Sequence, residues 1–208
     1  MAVDEPAGQR PAAPHVPGTP EGEQRRLPRA ERRDRILTAA TRAFARSGYR
    51  ATGLDDIAAE AGVSRVILYR HFESKPDLYR AVLHRARTRL AATVGTGRYG
   101  LDTIATLLRA AIDDPDGFRL LFRYAAREPD VRDITDQLAA TAVEVTRRHL
   151  AAAVPDERWT EWISQLLPTV VTEAVIAWLD AGQPDPDQAP DRIGTLVQGV
   201  IRAALPAD

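Results

Sequence analysis

Residues 52–72, which read TGLDDIAAEAGVSRVILYRHF, decide how this chain is organised. Thr52 followed by Asp55 is typical of a helix N-cap with an acidic residue in the first turn, and Ser64 is a second N-cap further on. Between them, Gly62 supplies the positive φ that a tight turn between two helices needs. Two short helices joined by a glycine-containing turn are the pattern of a helix-turn-helix motif.

The second of these helices is predicted to have one buried and one exposed face. At 100° per residue, Ser64, Leu68 and Phe72 share a face, which we expect to be buried. The opposite face carries the side chains that we expect to read base edges, namely Arg65, Val66, Ile67 and Arg70. Arginine donates paired hydrogen bonds to guanine, and apolar tips contact the methyl group of thymine. A basic face that is merely solvated is the alternative.

The residues around this stretch resemble the DNA-binding domain of the TetR family of bacterial transcriptional regulators. The matching residues are Ile36, Leu37, Ala39, Ala40, Phe44, Gly48, Tyr49, Thr52, Ile57, Ala58, Ala61, Gly62, Val63, Ser64, Leu68, Tyr69, His71, Phe72, Lys75 and Leu78. The resemblance covers residues 36–82, about a quarter of the chain. The family usually has a small residue at position 66 and Thr or Ser at position 67, where this chain has Val66 and Ile67. Hydrogen-bonded base readout at position 67 is therefore lost.

The resemblance implies an all-α protein, with an N-terminal three-helix helix-turn-helix domain followed by a helical bundle for ligand binding and dimerisation. It implies a homodimeric repressor on a palindromic operator of double-stranded DNA, released by a small-molecule effector. The side chains expected to position the domain on DNA phosphates are Thr52, Tyr69, His71 and Lys75. Lys75 stands at the start of a fourth helix, where a phosphate also meets free backbone amides.

Charge is distributed in the way expected of a DNA-binding module joined to another domain. The net charge is −1, but residues 25–93 carry 16 Arg and Lys against 7 Asp and Glu. Residues 94–208 carry 11 against 18. A basic segment attached to an acidic one is typical of a nucleic-acid-binding domain on a body that does not bind nucleic acid.

The chain is predicted to contain three regions. Residues 1–28 are rich in proline and are expected to be a disordered tail, whose terminal arginines could reach a DNA groove. Residues 30–90 form the DNA-binding domain, with the motif at 53–72, and residues 91–208 form the helical effector-binding and dimerisation domain. Alternating apolar patterns are not found, so no sheet is expected.

Composition limits the cellular location and the kinds of metal or catalytic site that we expect. The chain has no cysteine, which excludes disulfides and thiolate metal sites and suits a reducing cytoplasm. An apolar run near 18 residues and a signal segment are both missing, so neither a membrane span nor export is expected.

Residues 95–100, GTGRYG, match the dinucleotide fingerprint G-x-G-x-x-G, but no βαβ pattern surrounds them, so we interpret them as a loop between helices and expect no cofactor. We find no catalytic constellation and no metal-ligand motif, which argues against an enzyme. An all-helical small-molecule carrier that no longer reads DNA, and an enzyme on a helical scaffold, are the alternatives.

The last two helical patterns carry paired apolar residues, wide enough to pack on two sides. We expect one side to face a second copy of the chain in a four-helix bundle, although two core helices of a monomer fit the same pattern. The expected dimer residues are Leu167, Val171, Ala174, Trp178, Ile193, Val197, Val200 and Ile201. The candidate residues for a pocket that takes a hydrophobic effector, such as a drug, lipid or acyl derivative, are Leu83, Phe118, Phe122, Arg123, His149, Trp162 and Leu166.

Overall fold

The computed structural model describes residues 28–95 and 103–205 in full and the backbone of residues 101 and 102. All regular structure in this part of the chain is helical, which confirms the predicted all-α class. The helices are α1 (Arg29–Ala51), α2 (Leu54–Ala61), α3 (Arg65–Tyr69), α4 (Lys75–Val94), α5 (Leu101–Asp113), α6 (Pro115–Arg119), α7 (Arg132–Leu150), α8 (Glu157–Asp180) and α9 (Ala189–Ala203). Between α6 and α7 lie a π-helical turn, Leu120–Tyr124, and two 3₁₀ turns, Ala125–Arg127 and Pro129–Val131. The predicted tail, apart from residue 28, and the predicted loop at 95–100, apart from residue 95, lie outside the described residues.

The first three helices close around one aromatic side chain. Phe44 of α1 is fully buried, together with Ile57 of α2 and Leu68 of α3. The ring of Phe44 meets Tyr79 of α4 edge-on, with centroids 4.9 Å apart. Burial of each large side chain stabilises the fold by about 1.5–3 kcal/mol, so these contacts fix the angles between the helices.

The predicted turn chemistry of the motif is mostly confirmed. Gly62 ends α2 in the left-handed region at φ 63°, and the hydroxyl of Ser64 accepts the amide N–H of Ile67 at 3.3 Å. Ser64 itself is exposed, so its predicted place on the buried face is wrong; Leu68 and Phe72 fill that face.

The predicted N-cap role of Thr52 is wrong. The N-cap of α2 is Gly53, whose N–H donates to Asp56 at 3.2 Å. Thr52 is buried, and its hydroxyl lies 2.7 Å from the carbonyl oxygen of Gly48 and 3.2 Å from that of Ala43. Because the end of α1 leaves carbonyl groups without helical donors, the hydroxyl satisfies them instead of capping α2.

The core around Phe44 extends beyond the first four helices. It continues into Leu120, Leu121 and Ala125, which follow α6, and into Val131 and Ile134 at the start of α7. The motif and the later helices therefore share one hydrophobic core, and it crosses the expected domain boundary near residue 90.

A partly buried arginine fixes α4 to α1. Arg85 donates to Asp34 at 3.0 Å, to Thr38 at 3.0 Å and to Thr41 at 2.9 Å. Burial lowers the pKa of its guanidinium, and the carboxylate of Asp34 partly opposes that effect. A buried charge is tolerated only when it is paired and hydrogen-bonded, so these contacts tie the two helices in one arrangement.

A second core lies among α5, α8 and α9, with Ile163, Val175 and Ile176 of α8 fully buried. Pro168 lies inside α8 and does not end it. By length and composition α8 could also cross a membrane, contrary to the expectation that no segment could, and it is the one such helix among the described residues. Its inner face, however, packs into the second core.

Candidate nucleic-acid interface

The motif presents α3 outward on a rigid base. The helix is capped by Ser64, and its helical turn continues to Phe72, whose N–H donates to the carbonyl of Leu68 at 3.0 Å. Leu68 anchors the inner side, while Val66 on the outer side is 63% exposed. Such exposure of a valine has no use in packing within this chain, but it suits contact with another molecule.

The predicted base-reading side chains lie on this outer side. Arg65, Val66 and Arg70 are exposed, and Ile67 is half-buried. Arg65 donates to Asp55 of α2 at 2.9 Å and to the hydroxyl of Tyr69 at 3.4 Å. Because these partners are exposed, the pair contributes little to stability and can exchange for a base or a phosphate. That these side chains read bases stays a prediction.

The four predicted phosphate contacts differ in availability. Tyr69 is 42% exposed beside Arg65 and could reach a phosphate. Thr52 is 3% exposed, with its hydroxyl held by carbonyl groups of α1, so its predicted phosphate role is wrong. Lys75 is half-buried; its ammonium donates to the carbonyl of Arg50 at 3.1 Å and lies 4.8 Å from the ring centroid of Tyr49. To contact a phosphate, Lys75 would have to leave these partners.

His71, the fourth of them, is half-buried directly after α3. Burial lowers the pKa of its imidazole, and the positive charges of Arg29, Arg32 and Arg33 lower it further. The lowered pKa favours the neutral ring, which keeps one N–H that can donate. The first turns of α1 thus stand beside the end of the motif and add positive charge to this side of the molecule.

The predicted effector-pocket residues do not converge on one cavity. Leu83 is buried in the first core, Phe122 packs against both cores, and Leu166 is half-buried in α8. Trp162 is 45% exposed, and His149 is exposed with Nδ1 lying 2.8 Å from the carbonyl oxygen of Val145.

Arg123, expected to be the polar group of that pocket, is paired elsewhere. Its guanidinium donates to Asp180 at 2.7 Å and to Glu173 at 2.9 Å, both on α8. These ion pairs tie the π-helical turn to α8. The seven predicted residues thus lie on different helix faces, which the sequence pattern could not distinguish.

A cavity of about 380 Å³ lies between α4, α5 and the segment after α5. Apolar walls are supplied by Ala86, Leu90, Ala110, Phe118 and Leu121, and Phe118 is the one predicted pocket residue among them.

The polar side of this cavity holds an ion pair that the sequence pattern did not predict. Arg89 of α4 donates to Asp114 at 3.3 Å, and the carboxylate of Asp114 accepts the N–H of Gly117 at 3.1 Å as the N-cap of α6. A Cβ atom at position 117 would lie 2.5 Å from that carboxylate, so the cap requires glycine. The pair joins the start of α6 to α4.

The predicted dimer residues face inward. Leu167, Trp178, Ile193 and Val197 are buried in the second core, and Val171, Ala174, Val200 and Ile201 are partly buried against it. Trp178 also donates its indole N–H to the carbonyl of Pro184 at 2.8 Å. The four buried side chains stabilise the chain's own core, which argues against their predicted contact with a partner subunit, whereas for the four partly buried ones that contact stays a prediction.

Other large apolar side chains of α8 and α9 are exposed. Trp159 and Trp162 are 48% and 45% exposed, and their rings meet edge-on at 5.4 Å. On α9, Leu196 is 48% exposed. These three side chains are called the outer face below. Trp159 was not predicted from the sequence, because it precedes the run of apolar pairs.

The motif and the helices that follow it both have counterparts in known proteins. Residues 36–82 match the family described as bacterial regulatory proteins, tetR family. The chain is 39% identical over 139 residues to the HTH-type transcriptional activator FasR of Mycolicibacterium smegmatis, spanning 63% of this chain and 60% of that protein. It is 43% identical over 58 residues to the HTH-type transcriptional repressor BepR of Brucella suis, spanning 28% of each chain.

The likeness among solved structures extends over the later helices. A TetR-like transcriptional regulator from a Rhodococcus species superimposes with a TM-score of 0.68 at 24% identity, covering 83% of this chain and 97% of that one. At this identity the match supports the fold. It includes the helices that follow the motif as well as the motif itself.

Proposed function

We propose, from the premise that this chain belongs to the TetR family of bacterial regulatory proteins, that it is a homodimeric repressor released from a palindromic operator by a small hydrophobic effector. The chain is a DNA-binding transcriptional regulator; its dimer, its effector and its action in the cytoplasm belong to the proposal. The observation that carries it is the outer side of α3, where Val66 is 63% exposed between two exposed arginines.

Two copies of α3 would enter successive major grooves. In dimeric helix-turn-helix proteins the half-sites lie about 34–36 Å apart, one turn of the duplex. Arg65 and Arg70 would contact base edges, while Val66 and Ile67 would contact thymine methyl groups. Tyr69 and His71 would hold the phosphates that flank the groove, and Lys75 would join them after leaving Arg50.

The outer face of α8 and α9 is the proposed dimer contact. Two exposed tryptophans on α8, with the exposed Leu196 on the neighbouring α9, suit an interface, where Trp often dominates the binding energy. Pairing each helix with its copy would give a four-helix bundle related by a twofold axis. This moves the proposed contact from the mostly buried residues predicted from the sequence to exposed side chains of the same helices.

The cavity between α4 and α6 is the proposed effector site. A volume of about 380 Å³ suits a small molecule, and its walls are mostly apolar. Leu121 lines the cavity and also belongs to the core around Phe44, so a bound molecule would press on the packing of the motif. Separation of Arg89 from Asp114 would free α4 to tilt, a coupling typically of about 1–3 kcal/mol.

An activator is a second candidate, because FasR carries that description and its match extends beyond the motif. The two differ in the effect on a promoter that contains the operator. A reporter fused to the chain's own upstream region would lose expression on deletion of an activator and gain expression on deletion of a repressor.

The test of the whole proposal is selection of duplexes from a random library by the full-length chain, at moderate salt with competitor DNA. We expect enrichment of an inverted repeat with half-sites about one helical turn apart. Enrichment of a single half-site would overturn the dimer, and enrichment of nothing would favour the small-molecule carrier. Light scattering on the same preparation gives the oligomeric state independently.

A further inference from the structure

A group of basic side chains stands where α1 begins and the motif ends. The guanidinium carbon of Arg33 lies 4.9 Å from the ring centroid of Phe72, stacked over it. The imidazole of His71 lies next to the same ring, with centroids 6.4 Å apart. Arg29, one helical turn before Arg33, is exposed on α1. Arg33 and His71 therefore both lie beside the Phe72 ring, and Arg29, one turn earlier on α1, is near enough for its charge to act on His71.

The charges that act on His71 have one sign. Burial lowers the pKa of the imidazole, and the arginines at positions 29, 32 and 33 add to that effect, while no carboxylate opposes them. Arg70 precedes His71 on its own segment. On the α4 side the nearest acidic residue along the chain is Glu73, whose N–H donates to the carboxylate of Asp77 at 3.1 Å.

The imidazole also has an unused hydrogen-bonding capacity. In the described part of the chain its ring nitrogens make no hydrogen bond, although the backbone N–H of His71 donates to Leu68. A half-buried ring surrounded by guanidinium groups is costly to protonate. An anion at this point would remove that cost, because it would neutralise the arginines and accept the N–H of the ring.

We propose that Arg29, Arg33 and His71 hold one phosphate of the DNA backbone, and that His71 takes up a proton when the phosphate binds. The inference rests on the DNA binding of the proposed function, but not on its dimer, effector or direction of control. It places a contact on α1, outside the helix-turn-helix motif, and makes DNA affinity depend on pH.

The direction of this dependence follows from linkage. In the free chain the pKa of His71 lies below its usual value of about 6.5, and a bound phosphate raises it. Between the two values the complex holds a proton that the free chain lacks. Affinity therefore rises as pH falls through this window, by up to about tenfold per pH unit for each proton taken up.

The experiment measures binding of the full-length chain to an arbitrary duplex and to its selected operator, from pH 8 to pH 5.5 at constant salt. His71→Asn keeps an N–H donor but cannot titrate, and His84→Asn on α4, an exposed histidine beside Arg87, is the matched control. We expect affinity to rise on acidification for the wild type and for His84→Asn. The rise should be reduced in His71→Asn, whatever the affinity of that variant at pH 8, because the comparison is between the pH slopes.

Salt dependence tests the arginines separately. Arg29→Gln and Arg33→Gln should each flatten the slope of log affinity against log salt, by up to about 0.9 if the variant leaves one phosphate without its cation. Arg33→Gln removes a guanidinium stacked on the Phe72 ring and could lower the stability of the fold. Arg29 is exposed, so Arg29→Gln tests the phosphate contact without that complication.

Equal pH slopes in the wild type and His71→Asn would overturn the proton uptake, and unchanged salt slopes in both arginine variants would overturn the phosphate site. If the wild type bound no duplex at all, the proposed function would fail instead, so the two failures are distinguishable.

Discussion

The recognition segment and the α8–α9 pair show opposite relations between sequence pattern and exposed surface. In α3, Leu68 is buried and Val66 exposed, as their spacing predicts. In α8 the same reasoning placed Trp178 at a partner and Trp162 inside, whereas Trp178 is buried and Trp162 is 45% exposed. A short helix between two caps has one inner face, but a long helix with paired apolar residues offers two.

Trp178→Ala should produce the largest effect, since it removes a buried ring and its hydrogen bond to Pro184. Truncation of a buried Trp costs about 3–5 kcal/mol of unfolding free energy. Urea denaturation at fixed protein concentration measures it. A cost below about 1 kcal/mol would mean that Trp178 is not a core residue, and the contrast between the two faces of α8 would fail.

Trp162→Ala should weaken the dimer, which would distinguish the exposed side of α8 from the buried side that Trp178 occupies. Truncation of an interface hot spot costs about 2 kcal/mol or more, which raises the dimer dissociation constant about thirtyfold. Sedimentation over a dilution series measures this shift. Val143→Ala on α7, a half-buried apolar residue off the outer face, is the control and should leave assembly unchanged. Unaltered dissociation in Trp162→Ala would exclude the outer face from the interface.

Arg65→Ala addresses the exposed side of the recognition segment. Removal of a bidentate base contact should cost about 1–3 kcal/mol in operator binding and relax specificity at one base pair. Competition with single-base operator variants measures both. Arg148→Ala on α7 removes the same charge far along the chain and should leave specificity intact. A uniform reduction in affinity over all sequences would reassign Arg65 to a phosphate.

Ser64→Ala should have the smallest effect, because it removes only the cap on the N–H of Ile67. Removal of such a cap costs about 1 kcal/mol of stability. Thermal unfolding measures it, with Ser47→Ala, an exposed serine of α1, as the control. If both variants melted alike, the start of α3 would depend on its packing alone.

Local chemistry accounts for what the sequence predicted well. Gly62 must adopt a positive φ, and Ser64 precedes the first turn of α3, so both roles follow from a few neighbouring residues. The cap prediction for Thr52 failed because its hydroxyl donates to carbonyl groups of α1. Where the end of α1 lies relative to Thr52 is determined by the fold, and the motif pattern does not show it. The Arg89–Asp114 pair is equally hidden, since its partners are 25 residues apart.

Which face of α8 is buried also depends on contacts with residues that are distant in the sequence. Trp162 and Ile163 are adjacent, and either could face the core of a wide-striped helix. The neighbouring α5 and α9 decide in favour of Ile163, which is fully buried. Hydrophobic periodicity thus predicts that a helix packs on something, and its neighbours determine which side does so.

The motif shares its hydrophobic core with Leu120, Leu121, Ala125, Val131 and Ile134, which limits how this chain can be divided. A fragment ending at residue 95 would keep every residue of the helix-turn-helix but would expose the side of α4 that packs against those five. When the first 95 residues are exchanged between relatives, residues 118–134 should therefore be exchanged with them. The transferred motif then keeps the side chains that pack against α4.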